Sequence, residues 1–264
     1  MTTMTDTFLN QDLEGDKFSR FLEDQPHPLL YATVHGSRLY GFDTPGSDRD
    51  LRGCHVLPTR QVLGLQDGRE TVTRKGASSG AGVELVTHEV KKVLRLLLKG
   101  NGNVLEEALS PLVLVTGDFH AELREIAGEC ITRRHAGHCM GMAGKALSVL
   151  KKPDKADVKH ALHLYRALLT GIHLMETGEL ECSLPALNAR ARLSHADDLL
   201  RRRAVGPEER QVKEGEVGFL EEEFDRLMLM LRDAADRSPL PAQPGCGDRL
   251  NDLLVRIRRD DLYW

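Results

Sequence analysis

The chain has 264 residues, 41% hydrophobic and 29% charged, with 36 Lys and Arg against 40 Asp and Glu for a net charge of −4. That length buries a real core in one large or two small domains, and no apolar run approaches the roughly 20 residues of a membrane span. The acidic balance excludes a protein that coats nucleic acid by charge alone, while leaving room for local basic clusters that grip phosphate.

The opening MTTMTDTFLNQDLEGDK lacks the basic start, apolar stretch and small-residue cleavage site of a secretory leader, so a cytoplasmic protein is expected. From Pro28 to Glu89, short apolar runs alternate with Gly-rich turns: LLYATVHG, DLRGCHVL, a segment around ETVTR, then GVELVT. This is the pattern of a sheet. KGASSGAG, residues 75–82, predicts a mobile hairpin loop between the last two strands. After Thr87 as N-cap, Val90, Val93, Leu94, Leu97 and Leu98 recur at helical spacing, and Gly100 is the expected stop. Asn101 and Asn103 are expected to cap a short following helix. Beyond it, apolar periodicity predicts helices near 118–128, 132–151, 155–177, 188–203, 214–236 and 247–259, divided by Pro153, Gly178, Gly206-Pro207 and SPLPAQPG. The class is α+β: an αβ domain over residues 1–115 followed by a helical domain over residues 116–264. The closing RIRRDDLYW reads as a helix end whose aromatic pair docks on the body or frays.

Chemistry concentrates in His35-Gly36-Ser37-Arg38-Leu39-Tyr40-Gly41-Phe42 and Pro45-Gly46-Ser47-Asp48-Arg49-Asp50-Leu51-Arg52. An apolar strand running into Gly36-Ser37 puts a backbone without a Cβ and a small hydroxyl at the strand end, where a phosphate can approach closely. Asp48 and Asp50, two residues apart at the start of a strand, project from one face. Two carboxylates so placed repel one another unless a cation joins them, and hard oxygen ligands suit Mg²⁺ or Mn²⁺. The alternative is a turn closed by Ser47-Asp48 with Asp50 solvated. A third acid is expected because phosphoryl transfer gains from two metals, or from one metal and a base on the attacking hydroxyl. Glu84, a charge among Val83, Leu85 and Val86, is the candidate. Against it stands the plain outward residue of an alternating strand. Glu89 competes, but an acid in a first helical turn is explained by the helix dipole.

Gly36-Ser37, ten residues, then Asp48-Arg49-Asp50 resembles the signature of the DNA-polymerase-β-like nucleotidyltransferase superfamily. The wider run HGSRLYGFDTPGSDRDLRG, with VELVTHEVKKVLRLLLKGNGNVLEEALSP and the late SPLPAQP, is similar to the predicted bacterial and phage nucleotidyltransferases related to the YcgL protein. The resemblance implies a small mixed sheet flanked by helices and transfer of a nucleoside monophosphate from a nucleoside triphosphate to an acceptor hydroxyl, with pyrophosphate released. It implies that Gly36 and Ser37 hold the triphosphate, that Asp48 and Asp50 bind Mg²⁺ or Mn²⁺, and that Glu84 fills the third acidic position. That position is more often aspartate in the superfamily. It also draws attention to Lys159, His163 and Arg166 along one helix face, with Lys159 or Arg166 as triphosphate ligands and a solvated face as the competing reading. Arg52 is a further phosphate or ion-pair candidate.

Five scattered cysteines without C-x-x-C predict reduced thiols, and His135 and His138 with Cys130 and Cys139 lack convincing partners for a soft-metal site. Arg190, Arg192 and Arg201 to Arg203 form the main basic cluster, a solvated helix end or a grip on an RNA backbone. With 5% aromatic residues, no broad base-stacking platform is expected. The acceptor stays open among an RNA end, a small molecule and a protein. The competing function is a non-catalytic or antitoxin-like module on the same fold.

Overall fold

The computed structural model describes residues 8–9, 18, 21–65, 68–78, 81–152, 156–206, 211–213 and 215–260. It has the expected α+β class. Strands β1 (Phe8–Leu9), β2 (Leu29–Val34), β3 (Arg49–His55), β4 (Thr71–Ser78), β5 (Ala81–Glu89) and β6 (Val113–Thr116) form one mixed sheet in the order β1-β6-β2-β3-β5-β4. Helix α1 (Thr59–Leu63) follows β3, and α2 (Val90–Leu98) and α3 (Gly102–Leu109) lie between β5 and β6. Helices α4 (Asp118–Glu129), α5 (Arg134–Leu150), α6 (Val158–Thr177), α7 (Leu184–Ala191), α8 (Ser194–Val205), α9 (Glu216–Arg237) and α10 (Gly247–Arg259) complete the described elements. None is long and apolar enough to cross a membrane.

By contact density the chain forms two compact units, one of residues 1–36, 46–130 and 244–264, the other of residues 37–45 and 131–243. In the first, β2 reads as a near-continuous apolar run because both its faces are covered. Ala32 and Val34 join Phe18, Leu22, Leu51, Val83, Leu85 and Leu114 in a core on one face. Tyr31 stacks on His120 of α4 at 4.5 Å from the other. Helix α10 closes on this unit through Leu250, Leu253 and Ile257, while Arg258 donates to the Leu57 carbonyl at 3.0 Å and pairs with Glu89.

The parallel pairing of β3 with β5 runs without a break from Arg49↔Val83 to His55↔Glu89. It carries β5 through Thr87, so the helix starts later than Thr87 predicts: Glu89 is the cap, accepting from the Lys91 amide at 2.8 Å, and the Thr87 hydroxyl bonds His55 Nδ1 at 2.9 Å. Gly100 ends α2 as expected, with φ of 73°. Asn101 caps α3 by accepting from the Val104 amide at 3.2 Å. The hairpin expected as a loop over 75–82 is strand almost to its tip, with Ser78 opposite Ala81; residues 79–80 lie outside the described residues.

In the second unit α6 is buried nearly all round, which makes it the axis against which α5, α7, α8 and α9 pack. Residues 37–45 belong here: Tyr40 and Phe42 meet His163 edge-on at 5.7 and 5.1 Å, and the Leu184 amide donates to the Tyr40 carbonyl at 2.9 Å. The helix expected over 188–203 is two helices, because Arg192 turns left-handed at φ 55° and Asn188 ties the break, donating to the Leu193 carbonyl and accepting from its amide. The closing aromatic pair, Tyr263 and Trp264, lies outside the described residues.

Candidate active site

Gly36 ends the run from β2 with φ of 66°, a conformation that favours glycine. A Cβ there would stand 2.3 Å from Asp50 Oδ2, and a Cβ on Gly82 would stand 2.6 Å from Asp48 Oδ1. Each aspartate therefore lies over a glycine of a neighbouring segment, in space that any other residue would fill. The His35 amide donates to the Asp50 carbonyl at 2.8 Å and fixes the Gly36 turn beside β3.

Asp48 precedes β3 by one residue and Asp50 lies within it. Across the parallel ladder Asp50 stands opposite Glu84 of β5, so their side chains share one face of the sheet. Their side chains are 35% and 31% exposed, open enough to meet a ligand. Arg52, also on that face, places Nη2 3.9 Å from Asp50 Oδ1 and 3.8 Å from Glu84 Oε2, while its Nη1 donates to the Leu51 carbonyl at 2.9 Å. Lys75 of β4, opposite Glu84 in register, reaches Glu84 Oε1 at 3.0 Å. Among the described residues no three His, Cys, Asp or Glu side chains stand as a ready metal cluster. The acids are grouped around cations of the chain itself.

The oxygen donors of Asp48 and Asp50, each packed over a glycine, and of Glu84 are of the kind that suits a hard divalent cation. Glu89 serves the fold instead, buried with one oxygen on the α2 amide and the other on Arg258. Ser37 is buried and accepts from the Phe42 amide at 3.0 Å through its carbonyl. In the second unit Lys159 is exposed at the start of α6, whereas Arg166 is buried with its guanidinium 3.9 Å from the Tyr40 ring centre. Burial, with Arg166 and Lys159 adding, lowers the His163 imidazole to about 3, so it is a neutral packing residue.

Of the basic cluster read as a solvated helix end or an RNA grip, Arg190, Arg192 and Arg201 are exposed, while Arg202 and Arg203 are interior. Arg202 is buried, with Nη1 on Glu216 Oε1 at 2.6 Å and Nη2 donating to the Gln211 carbonyl, and Arg203 is buried too. Arg201 is exposed and pairs with Asp198. Helix α8 turns Arg202 inward onto Glu216 at the start of α9, which gives the buried guanidinium its carboxylate partner.

Sequence reasoning missed Glu106 and Glu107 of α3, both buried beneath the sheet face that bears the acids. Glu106 Oε2 lies 3.8 Å from His35 Nε2, and the Thr33 hydroxyl donates to the Glu107 carbonyl at 3.4 Å. Burial pushes the Glu107 carboxyl up to about 8, with Arg52 pulling against it and Glu106 adding. Two adjacent acids in an eight-residue helix whose neighbours Val104, Leu105 and Ala108 are apolar were the available signal.

A glycine turn at a strand end, facing paired acids on the next strand and a third acid across the ladder, is the layout of a polymerase-β-like nucleotidyltransferase. A model of the RlaP family, described as the RNA repair pathway DNA polymerase beta family, matches residues 11–256, and the chain belongs to that family. It is similar to the uncharacterized protein MJ0002 of Methanocaldococcus jannaschii, 32% identical over 155 residues that cover 58% of this chain and 62% of the relative. It is also similar to the uncharacterized protein YcgL of Bacillus subtilis, 24% identical over 156 residues, 58% of this chain and 59% of the relative. The match thus spans about six-tenths of each relative's length. A crystal structure of a nucleotidyltransferase-like protein from Exiguobacterium sibiricum aligns over 95% of this chain and 81% of its own, at 13% identity and a TM-score of 0.32.

Proposed function

We propose that the protein is a metal-dependent nucleotidyltransferase that moves a nucleoside monophosphate from a nucleoside triphosphate to the hydroxyl of an RNA end. The observation that carries this reading is the register of Asp50 opposite Glu84 beside the Gly36 turn. Asp48, Asp50 and Glu84 would hold Mg²⁺ or Mn²⁺, which supplies positive charge to the triphosphate oxygens. Gly36 lets the backbone approach the triphosphate, with the Ser37 hydroxyl next to it in the chain. The acceptor oxygen attacks the α-phosphorus, the bond to the β-phosphate oxygen breaks, and pyrophosphate leaves. Glu84, as base, would receive the acceptor proton. Arg52 is the candidate cation for the phosphates. Arg166, buried on Tyr40, would act by holding the 37–45 segment.

The RNA acceptor rests on the family's description as an RNA repair family; of the basic cluster, Arg190, Arg192 and Arg201 are exposed and Arg202 and Arg203 are buried. The test incubates the protein with each α-labelled triphosphate, Mg²⁺ or Mn²⁺, and short RNAs with a free terminal hydroxyl, beside protein and metabolite fractions. Label on RNA that requires Asp50 supports the proposal. Label on protein or on a metabolite moves the acceptor to that class, and neither label nor pyrophosphate release with any triphosphate favours a non-catalytic module.

A further inference from the structure

Arg52 shares its sheet face with two groups of acids. One holds Asp50 and Glu84, at 3.9 and 3.8 Å from Nη2, contacts too long to be hydrogen bonds. The other holds Glu107. Arg52 is the register partner of Thr33, whose hydroxyl bonds the Glu107 carbonyl, so side chain and glutamate share one patch. Arg52 is also the strongest charge acting on the Glu107 carboxyl.

Glu107 Oε2 is buried without a hydrogen-bond partner, in a residue 4% exposed. A buried, unsatisfied carboxyl oxygen is costly, and the capping and packing of α3 make no use of it. A guanidinium moved a short way along the face would supply the missing donor. Arg52 has reason to move, since a divalent cation on Asp50 and Glu84 would repel a positive charge within 4 Å of the same oxygens.

We propose that Glu107 is a positioning residue for the acids: when Asp50 and Glu84 are engaged by a divalent cation, the Arg52 guanidinium turns from them to the Glu107 carboxyl. Arg52 is then a resident counter-charge that holds the acids together in the metal-free protein, and Glu107 is where it is stored in the loaded one. This rests on the reading that Asp48, Asp50 and Glu84 bind metal.

The test measures Mn²⁺ affinity by electron paramagnetic resonance of the free ion, without substrate, in the wild type, Asp50→Asn, Glu107→Gln, Arg52→Met and the Arg52→Met/Glu107→Gln double variant, with circular dichroism to verify folding. Glu107→Gln should weaken Mn²⁺ binding roughly 3- to 10-fold, the scale of one short-range charge contact in a partly open site. Arg52→Met should tighten it, and in that background Glu107→Gln should have no further effect. Arg52→Lys, which keeps the charge, should restore sensitivity to Glu107→Gln. Wild-type affinity in Glu107→Gln, or the same loss with and without Arg52, overturns the proposal while the metal reading stands. Unchanged Mn²⁺ binding in Asp50→Asn overturns both.

Discussion

The two units each hold an arginine among acids, and the two clusters are built differently. In the helical unit Arg202 is 1% exposed and sits 2.6 Å from Glu216, which also accepts from His195 Nε2 at 2.8 Å, and His195 Nδ1 meets the Tyr165 hydroxyl at 2.9 Å. Short bonds, the burial of Arg202 and a continuous chain of partners make a closed network that orders α6, α8 and α9. In the sheet unit Arg52 has only long contacts to Asp50 and Glu84, with about a third of each acid side chain open to solvent. A cluster that satisfies itself holds a fold, whereas one that leaves its charges loosely matched has binding energy to give to a ligand.

The largest expected effects come from breaking the open cluster at its acids. Asp48→Asn and Asp50→Asn should each cut pyrophosphate release by more than about 100-fold, since even outer partners of a metal ligand reach that figure. Melting temperatures should stay level or rise slightly, as like-charge repulsion is relieved. Near-normal turnover at saturating Mn²⁺ would falsify the metal assignment. Glu84→Gln should lower kcat far more than it weakens triphosphate binding, read by single-turnover kinetics beside a binding titration. A larger kcat effect from Glu89→Gln would move the third acid there.

The closed cluster should fail in stability instead. Arg202→Ala leaves the Glu216 carboxylate with a lost partner in a site where it is 10% exposed, and should cost about 3–5 kcal/mol in urea denaturation. Arg202→Met, which fills the same space, should still destabilise because Glu216 loses its guanidinium and keeps only His195 and the Lys213 amide as partners. A loss under about 1 kcal/mol for Arg202→Ala would mean the network is dispensable.

Glu107 sharpens the contrast through pH. Its folded value of about 8 lies above the ordinary 4.5, so between those values the folded protein keeps a proton that the unfolded chain releases. Stability is therefore highest at the acid end of this window and falls as pH rises through it, by on the order of 1 kcal/mol per pH unit. Glu107→Gln should remove that slope, so the melting temperatures of variant and wild type should diverge from pH 5 to 8. Parallel profiles would show that Glu107 ionises as it does in water. At the small end, Lys75→Ala should shift stability by less than about 1 kcal/mol, because its pairing with Glu84 is at a side chain 76% exposed.

The sequence by itself determined the local parts: the strand into Gly36, the paired acids, Glu84 in its strand, the α2 face and its Gly100 stop. These rest on chain-neighbour periodicity and on the backbone freedom of glycine, which are written in consecutive residues. Only the tertiary structure decided that Asp50 and Glu84 are register partners, because parallel strands are joined by long crossovers that fix no register in the sequence. It likewise decided that Thr87 stays in a strand, that Val113–Thr116 adds one beside β2, and that Arg192 splits a helix. Arg201 to Arg203 read as a basic run, yet a helix turns consecutive residues about 100° apart, so one of the three meets solvent and Arg202 meets Glu216. Burial of Glu106 and Glu107 was decided the same way, by what the sheet presses against α3 and not by the helix's own pattern.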